Sequence, residues 1–346
     1  MEKILTVVIP TYNMEKYLDK CLTSLIMPEN MDELEVLIVN DGSKDSSLQI
    51  ALKYEKLYPQ TFIAIDKKNG NYGSCINKGL EKATGKYFKV LDADDSFNTE
   101  NLCEYIKFLR KLDVDLVMSD FMIVDQSNDI NTTIDYKLPV NIVFSFEYLV
   151  KKNVPYMWMH AVTHRTEKMR NINYFQQEGI SYTDKEFVFY PMAVSKTVAY
   201  FPKVLYLYLM GREGQTIDDN VWIKNYWMEV KAIMKLLIDY KEHKNEVSTE
   251  GLQFMQQQAT LYISSIYHRH LQSGRKKLSI NQLIDFDKWL KSLDEDLYHC
   301  MDKEKETAEF YFIKEWRKYK NNMKGYLIHR FIHRISYHLG IRSHKK

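Results

Sequence analysis

The sequence predicts an α/β protein whose mostly parallel sheet is covered by helices on both faces, followed by an all-helical C-terminal region. In the first 120 residues, short apolar runs alternate with stretches of helical periodicity, as in parallel strands joined by crossover helices. After about residue 219, apolar residues recur only at helical spacing. The boundary is expected near Asp218-Asp219-Asn220, which gives predicted domains of residues 1–218 and 219–346.

Each element expected within residues 1–120 follows from a local pattern. The strands are short β-branched runs bounded by Pro, Asn, Asp or Gly, and the helices between them carry apolar residues three or four positions apart. A sheet of this kind binds ligands beyond the carboxyl ends of its strands. The expected strands are residues 5–9, 35–39, 62–65, 87–91 and 115–118, and the expected helices are residues 14–26, 46–58, 73–82 and 99–111.

After residue 120 the pattern first loosens and then becomes helical. Strand-like runs and one clear helix precede residue 218, and long helical stretches follow it. Ser279 and Gln282 fit a capping box at the start of one of these helices. The expected strands are residues 121–124, 157–163, 198–200 and 204–208, and the expected helices are residues 184–194, 221–240, 251–271, 280–290 and 310–339.

Composition narrows the classes of function. The 346 residues are 45% hydrophobic and 27% charged, and the formal charge of +2 argues against a nucleic-acid binder. The cysteines Cys21, Cys75, Cys103 and Cys300 form no CxxC pair, so we expect reduced thiols. The first apolar run is too short for a signal peptide, and none approaches the roughly 20 residues that span a bilayer. We therefore expect a cytoplasmic protein, either soluble or peripheral to a membrane.

Three predicted strands deliver polar residues to the same sheet edge. Tyr12 follows the first strand, Asp41 the second, and Asp92-Ala93-Asp94-Asp95 the fourth. Neighbouring carboxylates repel one another unless a cation neutralises them, and Mg²⁺ and Mn²⁺ prefer oxygen ligands and phosphate. The acidic string therefore predicts a divalent-metal site that holds a diphosphate. The alternative is a solvated turn in which Asp95 or Asn98 caps the next helix.

Asp41 and Tyr12 have the chemistry of a nucleoside site. A carboxylate accepts hydrogen bonds from an imide N–H or a ribose hydroxyl, and an aromatic ring stacks on a base. The alternatives are a turn at Asp41-Gly42-Ser43 and simple packing of Tyr12. Because the sequence contains neither G-x-G-x-x-G after its first strand nor G-x-x-x-x-G-K-[ST], it does not indicate a dinucleotide oxidoreductase or a P-loop enzyme.

At these residues the chain resembles the family-two nucleotide-sugar glycosyltransferases, which have the GT-A fold. The resemblance rests on several motifs in a fixed order over about 100 residues and weakens after residue 125. The motifs are Val8-Ile9-Pro10-Thr11-Tyr12-Asn13, Val39-Asn40-Asp41-Gly42-Ser43-Lys44-Asp45-Ser46, Asn69-Gly70-Asn71-Tyr72-Gly73-Ser74, Ala83-Thr84-Gly85-Lys86-Tyr87 and Asp92-Ala93-Asp94-Asp95.

The resemblance implies an inverting transferase of the kind that builds bacterial surface polysaccharides. The expected donor is a nucleoside diphosphate sugar, usually a UDP-hexose or UDP-N-acetylhexosamine, and the expected cofactor is Mn²⁺ or Mg²⁺. The expected acceptor is a hydroxyl of a glycan or of a lipid-linked oligosaccharide. Residues 1–120 would bind the nucleotide sugar, and residues 121–218 would form the acceptor side.

The family motifs imply roles for particular residues. Asp92 and Asp94 are the implied metal ligands, and Asp95 is a weaker candidate. Asn77 matches the second residue of the family's Arg-Asn pair, but Ile76 replaces the arginine, which puts the phosphate or sugar contact there in doubt. The implied donor-binding residues are Pro10, Tyr12, Asp41, Asn77, Asp92 and Arg212.

Inversion requires a base that deprotonates the acceptor hydroxyl as it attacks. Family members take this base from an Asp near a helix start, and the matching place is Tyr182-Thr183-Asp184-Lys185-Glu186, so Asp184 is the implied base. Thr183 and Glu186 also fit a capping box. The two interpretations are compatible, because a capped helix start holds a carboxylate rigidly.

Three further residues have weaker assignments. Arg212 lies in a segment similar to the family's loop over the donor phosphates, where it would neutralise diphosphate; a surface arginine is the alternative. Trp158 and His160 would lie near the acceptor sugar, although a buried core histidine is the more common arrangement.

The C-terminal residues 316–346 contain nine Lys or Arg and no Asp or Glu, with Leu327, Phe331, Ile335 and Leu339 four positions apart. Such a basic amphipathic helix is typical of a surface that lies on anionic lipid, here the inner face of the cell membrane. We favour the alternative that the helix packs on the domain, because its histidines are mostly neutral at pH 7 and its apolar stripe is narrow.

Two other functions remain as alternatives to the transferase. A sugar nucleotidyltransferase also uses paired carboxylates on an α/β sheet, but it needs a Gly-rich basic loop that the first strand end lacks. A non-catalytic sugar-nucleotide or glycan-binding protein derived from this fold would keep the donor site without a working base.

Overall fold

The computed structural model describes residues 2–154, 156–212, 214–215, 218–271, 278–305, 310–319 and 322–338. The chain divides into two units by its internal contacts. The first comprises residues 1–239 and 243–255, and the second comprises residues 240–242 and 256–346. The division thus falls later in the chain than residues 218–220, where the sequence placed the domain boundary.

The strands of the described residues form one sheet in the first unit. They are β1 (Leu5–Thr11), β2 (Leu34–Asn40), β3 (Phe62–Asp66), β4 (Tyr87–Val90), β5 (Ser96–Phe97), β6 (Leu116–Asp125), β7 (Ile130–Ile134), β8 (Phe144–Ser145), β9 (Val162–Arg165) and β10 (Thr197–Met210).

The strand order is β3-β2-β1-β4-β9-β6-β10-β5, with β7 beside β6 and β8 beside β10. The neighbours β3, β2, β1 and β4 are all parallel. The short strand β9 runs antiparallel to both β4 and β6, whereas β6 and β10 are parallel. The predicted α/β fold with a mostly parallel sheet is therefore confirmed.

Helices connect the strands of the first unit and make up most of the second. They are α1 (Leu18–Thr23), α2 (Ser47–Leu57), α3 (Asn71–Lys82), α4 (Thr99–Arg110), α5 (Phe146–Lys151), α6 (Thr166–Asn171), α7 (Asp184–Ala193), α8 (Asp219–His243), α9 (Thr249–Leu271), α10 (Ile280–Leu293), α11 (Glu295–Cys300), α12 (Phe312–Tyr319) and α13 (Met323–His338). Within the described ranges, no helix has both the length and the apolar character needed to cross a bilayer.

The central strands are buried on both faces, which explains why they read as continuous apolar runs. β2 buries all of its residues, and β1 buries all except Pro10. Helix α3 lies directly against β1 at Gly79. A Cβ atom at that position would come within 2.4 Å of Val8 Cγ2, so only glycine permits this close approach.

Several expected elements have different bounds in the structure. Residues 121–124 extend β6, and the two expected strands at 198–200 and 204–208 are one strand, β10. The register of β10 shifts between Phe201 and Val204, next to Pro202, which has no N–H for the ladder. Of residues 157–163, only the last two belong to a strand, since residues 159–161 form a 3₁₀ turn.

The helical predictions also need correction at three places. The helix expected at residues 14–26 is limited to α1, and the single helix expected at residues 310–339 is two helices, α12 and α13. Residues 320–321 and 339 lie outside the described residues. Ser279 precedes α10 as its N-cap but makes no side-chain capping bond, so the capping box with Gln282 is not formed.

The contact between α3 and β1 predicts the effect of Gly79→Ala on stability. Alanine would gain about 1 kcal/mol from helix propensity, but the overlap with Val8 should outweigh that gain and lower the free energy of unfolding by about 1–3 kcal/mol. Denaturant unfolding measures the difference. Lys82→Ala on the solvent side of the same helix is the control, and stabilisation by Gly79→Ala would contradict the predicted clash.

Candidate functional site

The carboxyl ends of β2, β1 and β4 meet at one edge of the sheet. Asp41 N donates to Thr11 O at 2.8 Å, and Leu91 N donates to Val8 O at 3.0 Å, which continues the parallel ladders to the strand ends. The predicted meeting of Tyr12, Asp41 and the acidic turn at one edge therefore occurs. The Tyr12 side chain is 47% exposed there, so its ring is accessible.

Asp41 is buried and engaged with a lysine. Its Oδ1 accepts hydrogen bonds from Lys67 Nζ at 2.5 Å and from Gly70 N at 2.9 Å. Lys67 also donates to Ser74 Oγ at 2.7 Å, so the lysine links the ends of β2 and β3 to the start of α3. Lys67 was not predicted from the sequence, although a cation directly after the last residue of β3 is a usable signal.

A cavity of about 800 Å³ opens beside Lys67. Its lining carries four cationic, two anionic and two aromatic side chains. The lining includes Lys67, Lys68, Asn77, Arg170, Tyr174 and Phe175. The space is large enough for a small polar ligand next to Asp41.

Within the acidic turn, Asp92 is held by two tyrosines. Its Oδ1 accepts a hydrogen bond from Tyr72 OH at 2.8 Å, and its backbone N–H donates to Tyr206 OH at 3.1 Å. Burial and the nearby charge of Asp94 raise the pKa of Asp92 to about 7. A buried carboxyl beside a second carboxylate is a place where a bound cation would stabilise the ionised form.

Asp94 forms an ion pair with Arg212. The Arg212 Nε lies 2.5 Å from Asp94 Oδ2, and both side chains are only 12–13% exposed. The guanidinium also lies 5.1 Å from the centre of the Tyr17 ring. Arg212 therefore lies beside the acidic turn and pairs with Asp94, which the resemblance implied as a metal ligand.

Asp95 connects the acidic turn to β10. Its Oδ2 accepts from Tyr206 OH at 2.6 Å and its Oδ1 accepts from Leu209 N at 2.7 Å, with the side chain buried. Asp95 does not cap α4; Asn98 does, by accepting from Asn101 N at 3.0 Å. Both carboxylate oxygens of Asp95 thus accept hydrogen bonds that hold the acidic turn against β10.

Asp184 begins α7, and its side chain is 43% exposed. The charge of Asp184 makes a smaller contribution than burial and Asp94 to the raised pKa of Asp92. The expected capping box is not formed, because Thr183 makes no side-chain capping bond and Glu186 Oε2 accepts from Gln177 N at 2.8 Å. Instead, Gln176 Nε2 donates to Thr183 O at 2.9 Å and to its Oγ1 at 3.0 Å.

Asn77 holds the segment that precedes Asp184. Its Nδ2 donates to Gln176 O at 2.8 Å and to Glu178 Oε1 at 2.9 Å, and its Oδ1 accepts from Gln176 N at 2.8 Å. The amide of Asn77 is thus occupied by this segment, which ties α3 to the start of α7. A Cβ on Gly73 would lie 2.1 Å from Gln177 O, so glycine is required where the segment crosses α3.

His160 lies in an aromatic cluster behind the acidic turn. Its ring stacks on Tyr208 at 4.4 Å and meets the edge of Tyr206 at 4.7 Å, and Trp158 lies 5.8 Å away. Burial lowers the pKa of His160 to about 3, so the ring is neutral. The structure therefore places His160 in the core, while Trp158 remains partly exposed beside it.

The turn that carries His160 is anchored by a buried lysine. Lys89 is 0% exposed and donates to His160 O at 2.8 Å and to Val162 O at 3.1 Å. Burial lowers the pKa of Lys89 to about 7. A lysine inside the apolar run of β4 was visible in the sequence, but its two carbonyl partners come from residues more than 70 positions away.

The donor groups of the site fit a hard divalent cation. Ligand atoms of Asp92, Asp95 and His160 lie within 4.8 Å of one another, and the buried Nδ1 of His160 has no hydrogen-bond partner among the described residues. Asp94 is not part of this group, and Asp92 and Asp94 each have one carboxylate oxygen that already accepts a hydrogen bond. Carboxylates without thiolates suit Mg²⁺ or Mn²⁺.

Comparison with known proteins gives a consistent result. A family model described as glycosyl transferase family 2 matches residues 6–167. An uncharacterized glycosyltransferase of Mycoplasma pneumoniae is 44% identical over 27% of this chain and 32% of its own length. A second uncharacterized glycosyltransferase, from Mycoplasma genitalium, is 26% identical over 67% of this chain and 78% of its own. The poly(ribitol-phosphate) beta-N-acetylglucosaminyltransferase TarS of Staphylococcus aureus is 25% identical over 71% of this chain and 43% of its own. The chain thus spans less than half the length of two of these three relatives.

Solved structures confirm the GT-A-like fold. Residues 1–349 of Staphylococcus aureus TarS in complex with UDP-GlcNAc match with a TM-score of 0.68 and 20% identity, covering 98% of this chain and 93% of that one. The mannosyltransferase PcManGT of Pyrobaculum calidifontis, in complex with GDP-Man and Mn²⁺, matches with a TM-score of 0.53 and 15% identity, covering 95% and 86%.

The bonds of Asp95 predict the effect of removing one hydroxyl. Tyr206→Phe leaves Asp95 Oδ2 buried without its donor and Asp92 N–H without its acceptor, and should lower the free energy of unfolding by about 1–3 kcal/mol. Tyr208→Phe is the matched control on the same strand and should change stability by less than about 0.5 kcal/mol. Denaturant unfolding compares the two; equal effects would mean that the Asp95 bond has no special role.

Proposed function

Because residues 6–167 form a glycosyl transferase family 2 domain, we propose that the protein is an inverting, metal-assisted glycosyltransferase that uses a nucleoside diphosphate sugar. The observation that supports this proposal is that Asp41 and the acidic turn lie at one edge of the sheet, where the charge of Asp184 also contributes to the raised pKa of Asp92. The proposed acceptor is a hydroxyl of a glycan or of a lipid-linked oligosaccharide.

The proposed donor is a UDP-sugar, with an N-acetylhexosamine as the first candidate. TarS, which is similar in fold, was solved with UDP-GlcNAc and is named as an N-acetylglucosaminyltransferase. The mannosyltransferase PcManGT was solved with GDP-Man, so hexosyl donors belong in the same screen. In this chain, the exposed ring of Tyr12 and the adjacent Pro10 would contact the base, and Asp41 would accept from the base or ribose.

The acidic turn and Arg212 would hold the leaving diphosphate. When bound, Mn²⁺ or Mg²⁺ would neutralise charge that develops on the leaving group. Asp94 and Asp92 would hold that ion. Arg212 lies beside the same carboxylate, so its guanidinium is positioned to pair with a phosphate oxygen once Asp94 has another partner.

Asp184 would supply the proton acceptor. As the acceptor oxygen forms its bond to the anomeric carbon, its proton would pass to the Asp184 carboxylate and the bond to the diphosphate would break on the opposite face. The side chain is suitable for this role because it is partly exposed at a helix start. The hydrogen bonds from Gln176 to Thr183 fix the backbone from which it projects.

The direct test is a screen of UDP- and GDP-sugars with the purified protein, with and without Mn²⁺. Release of nucleoside diphosphate, or saturable binding of one donor, supports the proposal. If no nucleoside diphosphate sugar binds in either condition, the proposed function is wrong. Binding without turnover toward any acceptor would instead favour a non-catalytic binding protein.

Asp184→Asn should separate catalysis from donor binding. Without a proton acceptor, the transfer rate should fall by about 10²–10⁴-fold, while the affinity for UDP stays at the wild-type value. Initial rates and UDP titration measure the two quantities. Glu167→Gln, which changes an exposed first-turn carboxylate of α6, should alter neither. Undiminished turnover in Asp184→Asn would assign the base to another residue.

Asp94→Asn should weaken the binding of Mn²⁺ itself. Because a neutral amide replaces a carboxylate ligand, we expect at least about tenfold weaker Mn²⁺ affinity in the presence of UDP, measured by the paramagnetic signal of free Mn²⁺. Asp129→Asn is the control, since Asp129 is exposed and its positive φ of 51° suits asparagine equally well. Wild-type Mn²⁺ affinity in Asp94→Asn would exclude Asp94 as a ligand.

A further inference from the structure

Helix α13 in the second unit exposes a continuous apolar stripe. The side chains of Leu327, Ile328, Phe331, Ile332 and Ile335 are 42–65% exposed. Their spacing of one, three and four positions puts them on one side of the helix, where they form a single strip. The sequence favoured packing of this helix on the domain with a solvated basic face. The helix does pack, but its aliphatic stripe is exposed.

The packed side of α13 is a different set of residues. Tyr326 is 0% exposed, and the rings of Tyr326 and His333 lie 6.5 and 4.9 Å from the ring of Phe310. Arg330 is 8% exposed and donates to Leu271 O at 2.6 Å. The helix is therefore anchored by its aromatic and arginine side, which leaves the aliphatic stripe facing outward.

The charge of α13 has one sign. From Met323 to His338 the helix contains Lys324, Arg330 and Arg334 and no Asp or Glu. Lys324 and Arg334 are exposed and lie three positions from Leu327 and Phe331, so cations border the stripe at both ends. An apolar stripe with a cation near each end complements a surface that is apolar inside and anionic at its boundary.

A protein interface would need a larger surface than this. A stable interface takes about 20–30 residues on each side, whereas the stripe offers five side chains on one convex helix. An interfacial helix needs only such a stripe and cations beside it, because it inserts its apolar side chains to the depth of the lipid headgroups.

We propose that α13 docks the protein on an anionic lipid surface. Leu327, Ile328, Phe331, Ile332 and Ile335 enter the boundary between headgroups and acyl chains. Lys324 and Arg334 pair with lipid phosphates. This inference concerns where the protein is held and is independent of the proposed transfer reaction.

The test is co-sedimentation of the full chain with lipid vesicles. Wild type should bind vesicles that contain phosphatidylglycerol, and binding should weaken as salt rises. The double variant Ile328→Ser with Phe331→Ser should lose more than about tenfold of the affinity, and Lys324→Gln should lose about fivefold. Leu52→Ser with Leu57→Ser is the matched control, since both leucines are exposed on α2 at 47% and 59%; it should bind as wild type does.

Three outcomes would overturn the proposal. The first is no binding of wild type to anionic vesicles. The second is equal loss in the α13 variant and in the α2 control. The third is a change in oligomeric state, measured by light scattering, in the α13 variant with unchanged vesicle binding, which would make the stripe a protein interface. Unfolding midpoints of all variants verify that the losses do not come from misfolding.

Discussion

The hydrogen bonds of Asp95 to β10 are the interaction on which the candidate site depends. They fix the turn after β4 onto a strand that lies more than 100 residues later in the chain. Burial, and then repulsion from Asp94 and Asp92, raise the pKa of Asp95, so the ionised turn is unfavourable without partners. Each carboxylate therefore has its own partner: Tyr72 for Asp92, Arg212 for Asp94, and β10 for Asp95. A fixed acidic turn is what makes a cation site at this edge possible.

The N-terminal sheet could be predicted because its strands are buried on both faces. Such strands are continuous apolar runs, and their polar ends mark where the sheet edge lies. β10 was predicted as two strands, because Pro202 interrupts the apolar pattern. In the structure the strand continues past Pro202 with a shift in its register, because proline has no N–H for the ladder. Periodicity records local chemistry, so it does not show that a strand continues past a residue that breaks the ladder.

Within the site, the sequence predicted which residues meet but not what each of them binds. Asp41 and the acidic turn do meet at the expected edge. The partners Lys67, Tyr72 and Lys89 were missed, because their contacts join elements far apart in the chain. Local patterns identify a chemically unusual residue, whereas its partner depends on the tertiary fold.

The segment of residues 176–183 links Asn77, an implied donor-binding residue, to Asp184, the proposed base. Asn77, which the resemblance implied as a donor contact, holds this segment through three hydrogen bonds. Gln176, at its start, holds Thr183, next to the proposed base. A carboxylate that must receive a proton at one position needs a backbone that does not move. Asn77 therefore contributes to the position of Asp184 from the donor side of the site.

Helix α13 shows why helical periodicity alone did not settle its packing. Its circumference carries two sets of low-polarity side chains, one aliphatic and one built from Tyr326 and His333 around Phe310. If the most apolar side of a helix is assumed to be buried, the aliphatic set is predicted to be the packed one. Aromatic rings, however, bury large areas, so they can form the anchored side together with Arg330. Exposure of the more apolar set is then the unusual feature, and unusual exposure of this kind marks an interaction surface.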